Sequence, residues 1–525
     1  MENKTWQAYE KGRDYLDQKA LVAKTQRNWN FYLGEQWAGL QSGGEELPMF
    51  NFITPTIKYK VATVAQNRMA AQYTDMYDRQ EYEQLCEELG KDFMRMWEKS
   101  KMDDSAWKVV KYAAIEGDSY IYWGNFSMED GQVLHTTQIM FGNEQEPDIQ
   151  KQPYIILRGR ESAESLRKEA KENGVPESDY SLIVPDEDTT REVGNKEEVK
   201  EDGKCTYIIY LTKKEGIVYA EKRTEYSEVA PMRAIENLDA EGNRVGGLKL
   251  YPICGYIWER KPNDSRGKSE VERLIPNQLE TNKTLARRSM TVKMTAYPRL
   301  AYDANAIQNP DDLDKVGAAI GLNGAASGID TMIKYLNPAS MSHDAQTLLQ
   351  DLVNTTKELA GAGDMALGNV SPERASGAAI TAVRDQAALP LNEQISAFNQ
   401  FVEDVANLAY EMMTVSSPNG IQLADGMVIS GEELRDLKPS IRIDVSPDNG
   451  WTKYSAQQEL ANLLSNNQID LQMYLEALPE GGALPKNKLL ALLAAKTQET
   501  MAEQEAMNGN LQMQDLRSGM GEALG

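Results

Sequence analysis

From Pro372 to Val415 the chain carries its strongest local signal, and that signal is helical. Ser371 supplies a capping hydroxyl, and Pro372 suits the first helical position, where no backbone N–H is needed. Leu391, Ile395, Phe398, Val402, Val405 and Met412 recur at three- and four-residue steps, forming one apolar stripe. Uninterrupted, about 44 residues would span roughly 66 Å at the α-helical rise. Pro390 falls inside the stretch and is expected to kink it, because it removes one backbone donor and crowds the preceding turn.

Elsewhere the texture alternates. Residues 1–120 read as mostly helical, with Ile57, Val61 and Val64, then Leu85, Leu89, Phe93 and Trp97, at helical spacing. Pro48 and Pro55 bracket MFNFIT, read as a short extended piece. SYIYWGNF and QVLHTTQIMF read as two strands around a Met-Glu-Asp-Gly turn. Residues 161–204 are highly charged and poor in aromatics, which predicts a short surface helix and then a flexible loop. CTYIIYLT and GIVYAEK form a predicted hairpin around Lys-Lys-Glu-Gly, and LYPICGYIW a central apolar strand. Residues 269–297 lack glycine and predict a helix that Pro276 kinks or restarts; a second helix is expected over 342–360. GMVIS and SIRIDVSP return to strands, and the chain from Trp451 onward is helical with a frayed end. The fold class is therefore α+β, predominantly helical.

Composition narrows the function. The 525 residues suffice for two to four compact units, and 41% hydrophobic content allows a sizeable core. Eighty acidic against 56 basic side chains give a formal charge of −24. A protein that coats DNA neutralises phosphates and should be basic, whereas this one repels DNA over most of its surface. That argues against an ordinary DNA-binding protein but allows one that lets DNA slide past. Cys86, Cys205 and Cys254 are far apart and form no Cys-x-x-Cys pair, as expected of reduced thiols. No apolar run is long enough for a transmembrane helix, and the N-terminus has no apolar signal core.

Catalytic motifs are scarce. Two histidines, His135 and His343, are too few for most imidazole-based centres. Gly267-Lys268-Ser269 matches the end of a phosphate-binding loop, but the glycine needed five positions earlier is Pro262. The segment reads instead as a turn before a helix, with Ser269 as its cap. Asp303, Asp311, Asp312 and Asp314 read as a solvated acidic loop rather than metal ligands. No enzyme activity, cofactor or metal is expected.

Three segments, in this order, carry a resemblance. RNWNFYLGEQW (27–37) followed by LPMFNFITPTIKYKVATVAQNR (47–68) resembles the N-terminal signature of tailed-bacteriophage portal proteins. YPICGYIWERKPNDSRGKSEVERLIPNQLETNK (251–283) resembles the stretch leading into that family's first stem helix. NVSPERASGAAITAVRDQAALPLNE (369–393) resembles the element that opens its long kinked helix. The acidic insertion around 180–204 has no counterpart in that pattern.

The resemblance implies a portal fold with wing, stem, clip and crown regions, assembled as a ring usually of twelve copies. The wing would be 1–268, the first stem helix 269–297, the clip 298–341 and the second stem helix 342–360. A tunnel loop would occupy 361–373, the long kinked helix and return strands of the wing 374–451, and a helical crown 452–525. The ring would sit at a capsid vertex of the virion, after assembly in the host bacterial cytoplasm, and pass double-stranded DNA non-specifically during packaging and ejection. Its implied partners are the terminase large subunit, major capsid and scaffolding proteins, and head–tail adaptors, with no membrane. Gly361, Gly363, Asp364, Met365, Leu367, Gly368 and Asn369 would form the tunnel loop, small and mobile enough to approach a central duplex. Lys283, Arg287, Arg288 and Lys293 are cations in an acidic chain, read equally as a channel lining or as ion-pair partners between copies. Two other classes remain: another virion structural protein, such as a connector or scaffold-like component, and an Asp/Glu metal-dependent nuclease.

Overall fold

The computed structural model describes residues 4–38, 47–65, 68–124, 128–186, 203–238, 244–296, 299–305, 389–417, 420–422, 428–446, 450–466 and 468–477, with scattered positions between 307 and 356 and at 426. The chain divides into two units. One comprises residues 1–65 and 69–444, the other 66–68 and 445–525.

The large unit opens with α1 (Lys4–Gln18), α2 (Leu21–Leu33) and α3 (Ile53–Ala65). Strand β1 (Arg68–Asp75), α4 (Glu83–Lys99) and α5 (Met102–Glu116) follow. Helix α5 runs through the middle of the main core: Val109, Val110, Ala113, Ala114 and Ile115 are completely buried. Strands β2 (Asp118–Trp123) and β3 (Gly131–His135) make the expected hairpin. The second predicted strand does not continue to Phe141, however. A 3-10 turn over Thr136–Gln138 breaks it, and Ile139–Phe141 becomes β4 in a different sheet. The break is held by buried carboxylates: Thr136 N donates to Glu116 and the Thr136 hydroxyl to Asp118.

Strands β5 (Tyr154–Ser162), β6 (Lys204–Lys214), β7 (Ile217–Arg223) and β8 (Glu228–Ala234) join β4 in an antiparallel sheet of order β4-β5-β6-β7-β8. The β6–β7 turn is Glu215-Gly216, both at positive φ, which suits the right-handed twist of a tight hairpin. One face of this sheet packs on α1 through Met140, Ile156 and Ile208, with Tyr9 and Leu16 of the helix opposite. The alternate residues Ile155, Leu157 and Leu211 enter the main core. Helices α6 (Ala163–Glu172) and α7 (Glu177–Tyr180) are the predicted surface helix, in two pieces. The loop expected after it falls at 187–202, outside the described residues.

Strands β9 (Glu236–Leu238) and β10 (Arg244–Gly247) form a small ribbon. β11 (Ile253–Ile257) was expected to be central; instead it is the edge of the three-stranded order β11-β2-β3. Its apolar sequence has another cause, since helix packing rather than strand pairing covers it. After α8 (Glu270–Ala296), β12 (Arg299–Tyr302) pairs antiparallel with β13 (Ile333–Leu336). Position 347 and residues 350–356 are helical, within the second helix expected over 342–360. Residues 357–388, which hold the start of the predicted long helix, lie outside the described residues. Pro390 sits in a 3-10 turn, Leu389–Leu391, and α9 (Asn392–Ser416) begins directly after it. The apolar stripe lands as predicted: Phe398, Val402, Val405 and Met412 are buried, and α9 covers β11. Strands β14 (Ile421–Gln422) and β15 (Val428–Ile429) and α10 (Gly431–Asp436) follow, and β16 (Pro439–Ser446), which pairs with β1, carries the chain to the end of the unit at Asp444.

The small unit contains α11 (Gly450–Ser465) and α12 (Leu471–Ala477) among its described residues. All three cysteines are buried and unpaired. No helix among the described residues is long and apolar enough to cross a membrane.

Candidate functional site

Two of the three sequence segments singled out above meet at the root of α8. Helix α8 is 27 residues long and runs through Pro276, so it does not restart there. Pro276 is solvent-exposed there.

The turn that starts the helix is Ser265-Arg266-Gly267-Lys268-Ser269. Ser269 is the cap the sequence suggested: its hydroxyl accepts from Glu272 N at 3.3 Å and donates to Ile115 O at 2.6 Å. Gly267 lies against Gly117. A Cβ on Gly267 would stand 2.0 Å from Gly117 O, so only glycine fits. The Gly267 amide, which in a phosphate loop would face an anionic ligand, donates to Asp118 at 3.2 Å. The segment is therefore a packed turn.

Arg266, which the sequence reading passed over, is the hub of this turn. Its side chain is 2% exposed. Nη1 donates to Thr136 O and Nη2 to Ile139 O, both at 2.8 Å. Asp118 at 3.4 Å and Glu144 at 3.3 Å balance the charge, and the guanidinium stacks 4.8 Å from the Phe141 ring centroid. Burial works against the charged form, but Glu144 and Asp118 outweigh it and push the guanidinium pKa above its ordinary value. Beside it, Glu116 is fully buried and takes Trp29 Nε1 at 2.7 Å, Thr136 N at 3.0 Å and His135 Nδ1 at 2.6 Å. His135 stacks on Tyr112, a packing role rather than a reacting group in an open cleft. His343 is outside the described residues.

Along the helix the anchoring continues. Lys60 of α3 meets Glu270 at 2.9 Å with both side chains buried, and Arg273 joins them. Burial pulls the Lys60 ammonium pKa down, with Glu270 opposing. Burial would raise the Glu270 carboxyl, but Lys60 and Arg273 outweigh it and hold it below its ordinary value. One turn on, Gln278 and Asn282 are completely buried. Gln278 accepts from Phe52 N and donates to Phe50 O, while Asn282 accepts from Phe50 N and donates to Gln36. Gln36 in turn donates to Phe31 O. The extended segment 47–52 is thus not a strand of any sheet. Its backbone pairs with two amide side chains of a helix. Asn51 ties the other side: its side-chain Oδ1 accepts from Ile53 N and Thr54 N and starts α3, which takes in Pro55 in its first turn. Gln278 and Asn282, spaced i, i+4, share one side of the helix, but only the fold shows that they are buried against this backbone.

The anchored half ends abruptly. Thr284 is the last buried residue of α8; beyond it every described side chain is half-buried or exposed. Lys283, Arg287, Arg288 and Lys293 are all exposed. Helical geometry, about 100° per residue, sets Arg287 about 40° from Lys283, but Arg288 about 140° and Lys293 about 280°. The four cations encircle the helix and share no single face. Arg287 reaches Glu280 at 3.4 Å across an exposed surface, a weak contact. Asn277 donates to Thr356 at 2.9 Å, so the second helix lies against the first at this level. The third segment lies mostly outside the described residues; directly after it, Gln394 donates to Trp258 O and accepts from the Tyr256 hydroxyl on its own carbonyl.

The tunnel-loop residues Gly361, Gly363, Asp364, Met365, Leu367, Gly368 and Asn369 lie outside the described residues. So does Asp314; among the described residues no cluster of His, Cys, Asp or Glu could hold a metal ion.

No curated protein matches the chain significantly. The family model for the phage P22-like portal protein matches residues 183–523, which include all of α8 and everything described after it. That family is structural rather than enzymatic, a component of the phage head. Since the family model matches well over half of its length, the chain belongs to the phage P22-like portal protein family.

Proposed function

We propose that this chain is the ring subunit of a portal vertex, through which double-stranded DNA enters and leaves the capsid. One observation carries the reading: α8 is fixed along its first four turns by buried ion pairs and amides, then emerges from the core with its cations exposed. A channel wall needs such a member, rigid at its root and free to meet other surfaces along its length. About twelve copies would close the ring, giving 12 × −24 = −288 formal charges. An anionic wall suits passage, because dense phosphate contacts would hold the duplex and stall it.

In this reading 298–341 faces the packaging terminase and later the tail adaptors, and 361–373 narrows the channel around the DNA. Lys283, Arg287, Arg288 and Lys293 divide between the duplex and neighbouring copies, consistent with their spread around the helix. ATP hydrolysis belongs to the terminase.

Electron microscopy of the purified full chain tests the proposal. Rings of about twelve copies with a channel of duplex width are expected; a lattice, a tube or a persistent monomer would overturn it. Deleting 362–370 should leave ring assembly intact while impairing DNA packaging or retention, and loss of assembly would remove the tunnel-loop assignment.

A further inference from the structure

Strand β11 is a sheet edge with half of its backbone unused. Trp258 N donates to Gly117 O and Pro252 O accepts from Trp123 N, so Pro252, Cys254, Tyr256 and Trp258 face β2, while Tyr251, Ile253, Gly255 and Ile257 face away from it. At the near end the Gln150 side chain stands in for a partner strand: it accepts from Tyr251 N at 2.7 Å and donates to Tyr251 O at 3.2 Å. Ile253 N turns back to Tyr251 O. Among the described residues nothing bonds to the amides and carbonyls of Gly255 and Ile257. Proteins commonly blunt a free edge with charge, proline or a bulge. Ile253–Ile257 reads ICGYI, has none of these, and keeps an unbroken register with β2.

A cleft of about 550 Å³ runs along this edge. On one side stands Ile149, close enough that a Cβ on Gly255 would lie 2.7 Å from its δ-methyl. The other side is α9, toward which Cys254 and Tyr256 point: Tyr256 packs edge-on against Phe398 and Phe401, and the Asp404 charge reaches the Cys254 thiol. Glu146, Asp148 and Asp404 line the cleft against one lining cation, Arg260, with Lys151 beside Asp148. Partial burial pushes the Asp404 carboxyl up and the charges of Glu403 and Asp148 add to it, with Gln400 and Arg260 opposing. An added cation is therefore favoured here. Duplex DNA is repelled by these carboxylates and has no peptide backbone to pair with β11. Among the described residues no side-chain cluster would hold a metal ion.

We propose that the β11 edge takes up an extended peptide segment of a partner protein as an added antiparallel strand, with a lysine or arginine directed at Asp404. A stretch of about three residues suffices: the outer two exchange backbone hydrogen bonds with Gly255 and Ile257, and the middle side chain, opposite Tyr256, falls on the α9 side. The inference does not depend on the ring.

Hydrogen exchange at residue resolution on the full chain, with acetyl-Thr-Val-Lys-Val-Thr-amide as probe, tests it. Without probe the Gly255 and Ile257 amides should exchange freely, and those of Cys254 and Tyr256 slowly. At roughly ten times its dissociation constant the probe should slow Gly255 and Ile257 about tenfold. The probe with glutamate in place of lysine should bind about tenfold more weakly, as should the original probe to Asp404→Lys. A probe N-methylated at both valines lacks the donors for the Gly255 and Ile257 carbonyls and should not bind. Asn407→Trp, at an exposed position of the cleft wall, should block the probe with unchanged far-UV circular dichroism.

No protection by the lysine probe, equal protection by the N-methylated one, equal affinity of the glutamate one, or binding undiminished by Asn407→Trp overturns the proposal. Slow exchange of both amides before any probe is added also overturns it: in a monomer the chain then covers its own edge, and in assemblies a neighbouring copy does. If Asp404→Lys fails to fold, the glutamate probe on the wild-type chain decides the charge requirement.

Discussion

Replacing Arg266 by methionine keeps the side chain's length and apolar bulk but removes its charge and donors. Two backbone carbonyls, Thr136 O and Ile139 O, lose partners at 2.8 Å, and Asp118 and Glu144 lose the cation between them. Asp118 keeps the Thr136 hydroxyl and the Gly267 amide, and Glu144 keeps the Ser265 hydroxyl at 2.7 Å, so neither carboxylate is wholly stranded. Removing one member of a buried charge group costs about 3–5 kcal/mol, because the remaining charge stays desolvated. At about 2 °C per kcal/mol, the lower end for a cooperative unit of 150–250 residues, the melting temperature should fall by roughly 6–10 °C. Arg287→Met is the comparison: Arg287 is exposed, and its single contact with Glu280 should be worth less than about 1 kcal/mol. Thermal unfolding followed by near-UV circular dichroism at one protein concentration measures both. An Arg266→Met protein melting within about 1 °C of wild type, or an Arg287→Met protein falling as far, would refute the assignment of the turn's stability to this buried network.

Three further outcomes follow from the same region. Gly267→Ala places a methyl 2.0 Å from Gly117 O, so the turn must open; the protein should be destabilised by several kcal/mol or recovered in inclusion bodies, which solubility and melting curves report. Gln278→Ala with Asn282→Ala leaves the Phe50 and Phe52 backbones unpaired, costing about 2–4 kcal/mol and exposing 47–52 to limited proteolysis before the rest of the chain. Glu270 sits below its ordinary 4.5, so its folded carboxylate stabilises above that pH and the contribution is lost as pH falls through the folded value. Glu270→Gln should therefore lower the melting temperature at pH 7, where Lys60 stays buried without its partner, and flatten its dependence on pH in the acid range.

Local chemistry was legible residue by residue. The Ser269 cap, the turn at Glu215-Gly216 between its two strands, and the buried stripe of α9 all depend on neighbours within a few positions, where backbone geometry and side-chain spacing act directly. So did the bulk negative charge and the scarcity of imidazole. Long-range placement was not legible. LYPICGYIW is apolar enough for a central strand, yet stands at an edge; its apolar residues answer to α9, and covering by a helix or by a strand leaves the same mark on a sequence. QVLHTTQIMF reads as one strand because nothing local reveals that Glu116 and Asp118 will bend it at Thr136. The joining of Gln36, Phe50, Gln278 and Asn282, up to 246 positions apart, belongs wholly to the tertiary structure. An amide side chain declares itself a structural partner only when folding buries it beside a backbone that has no other donor or acceptor.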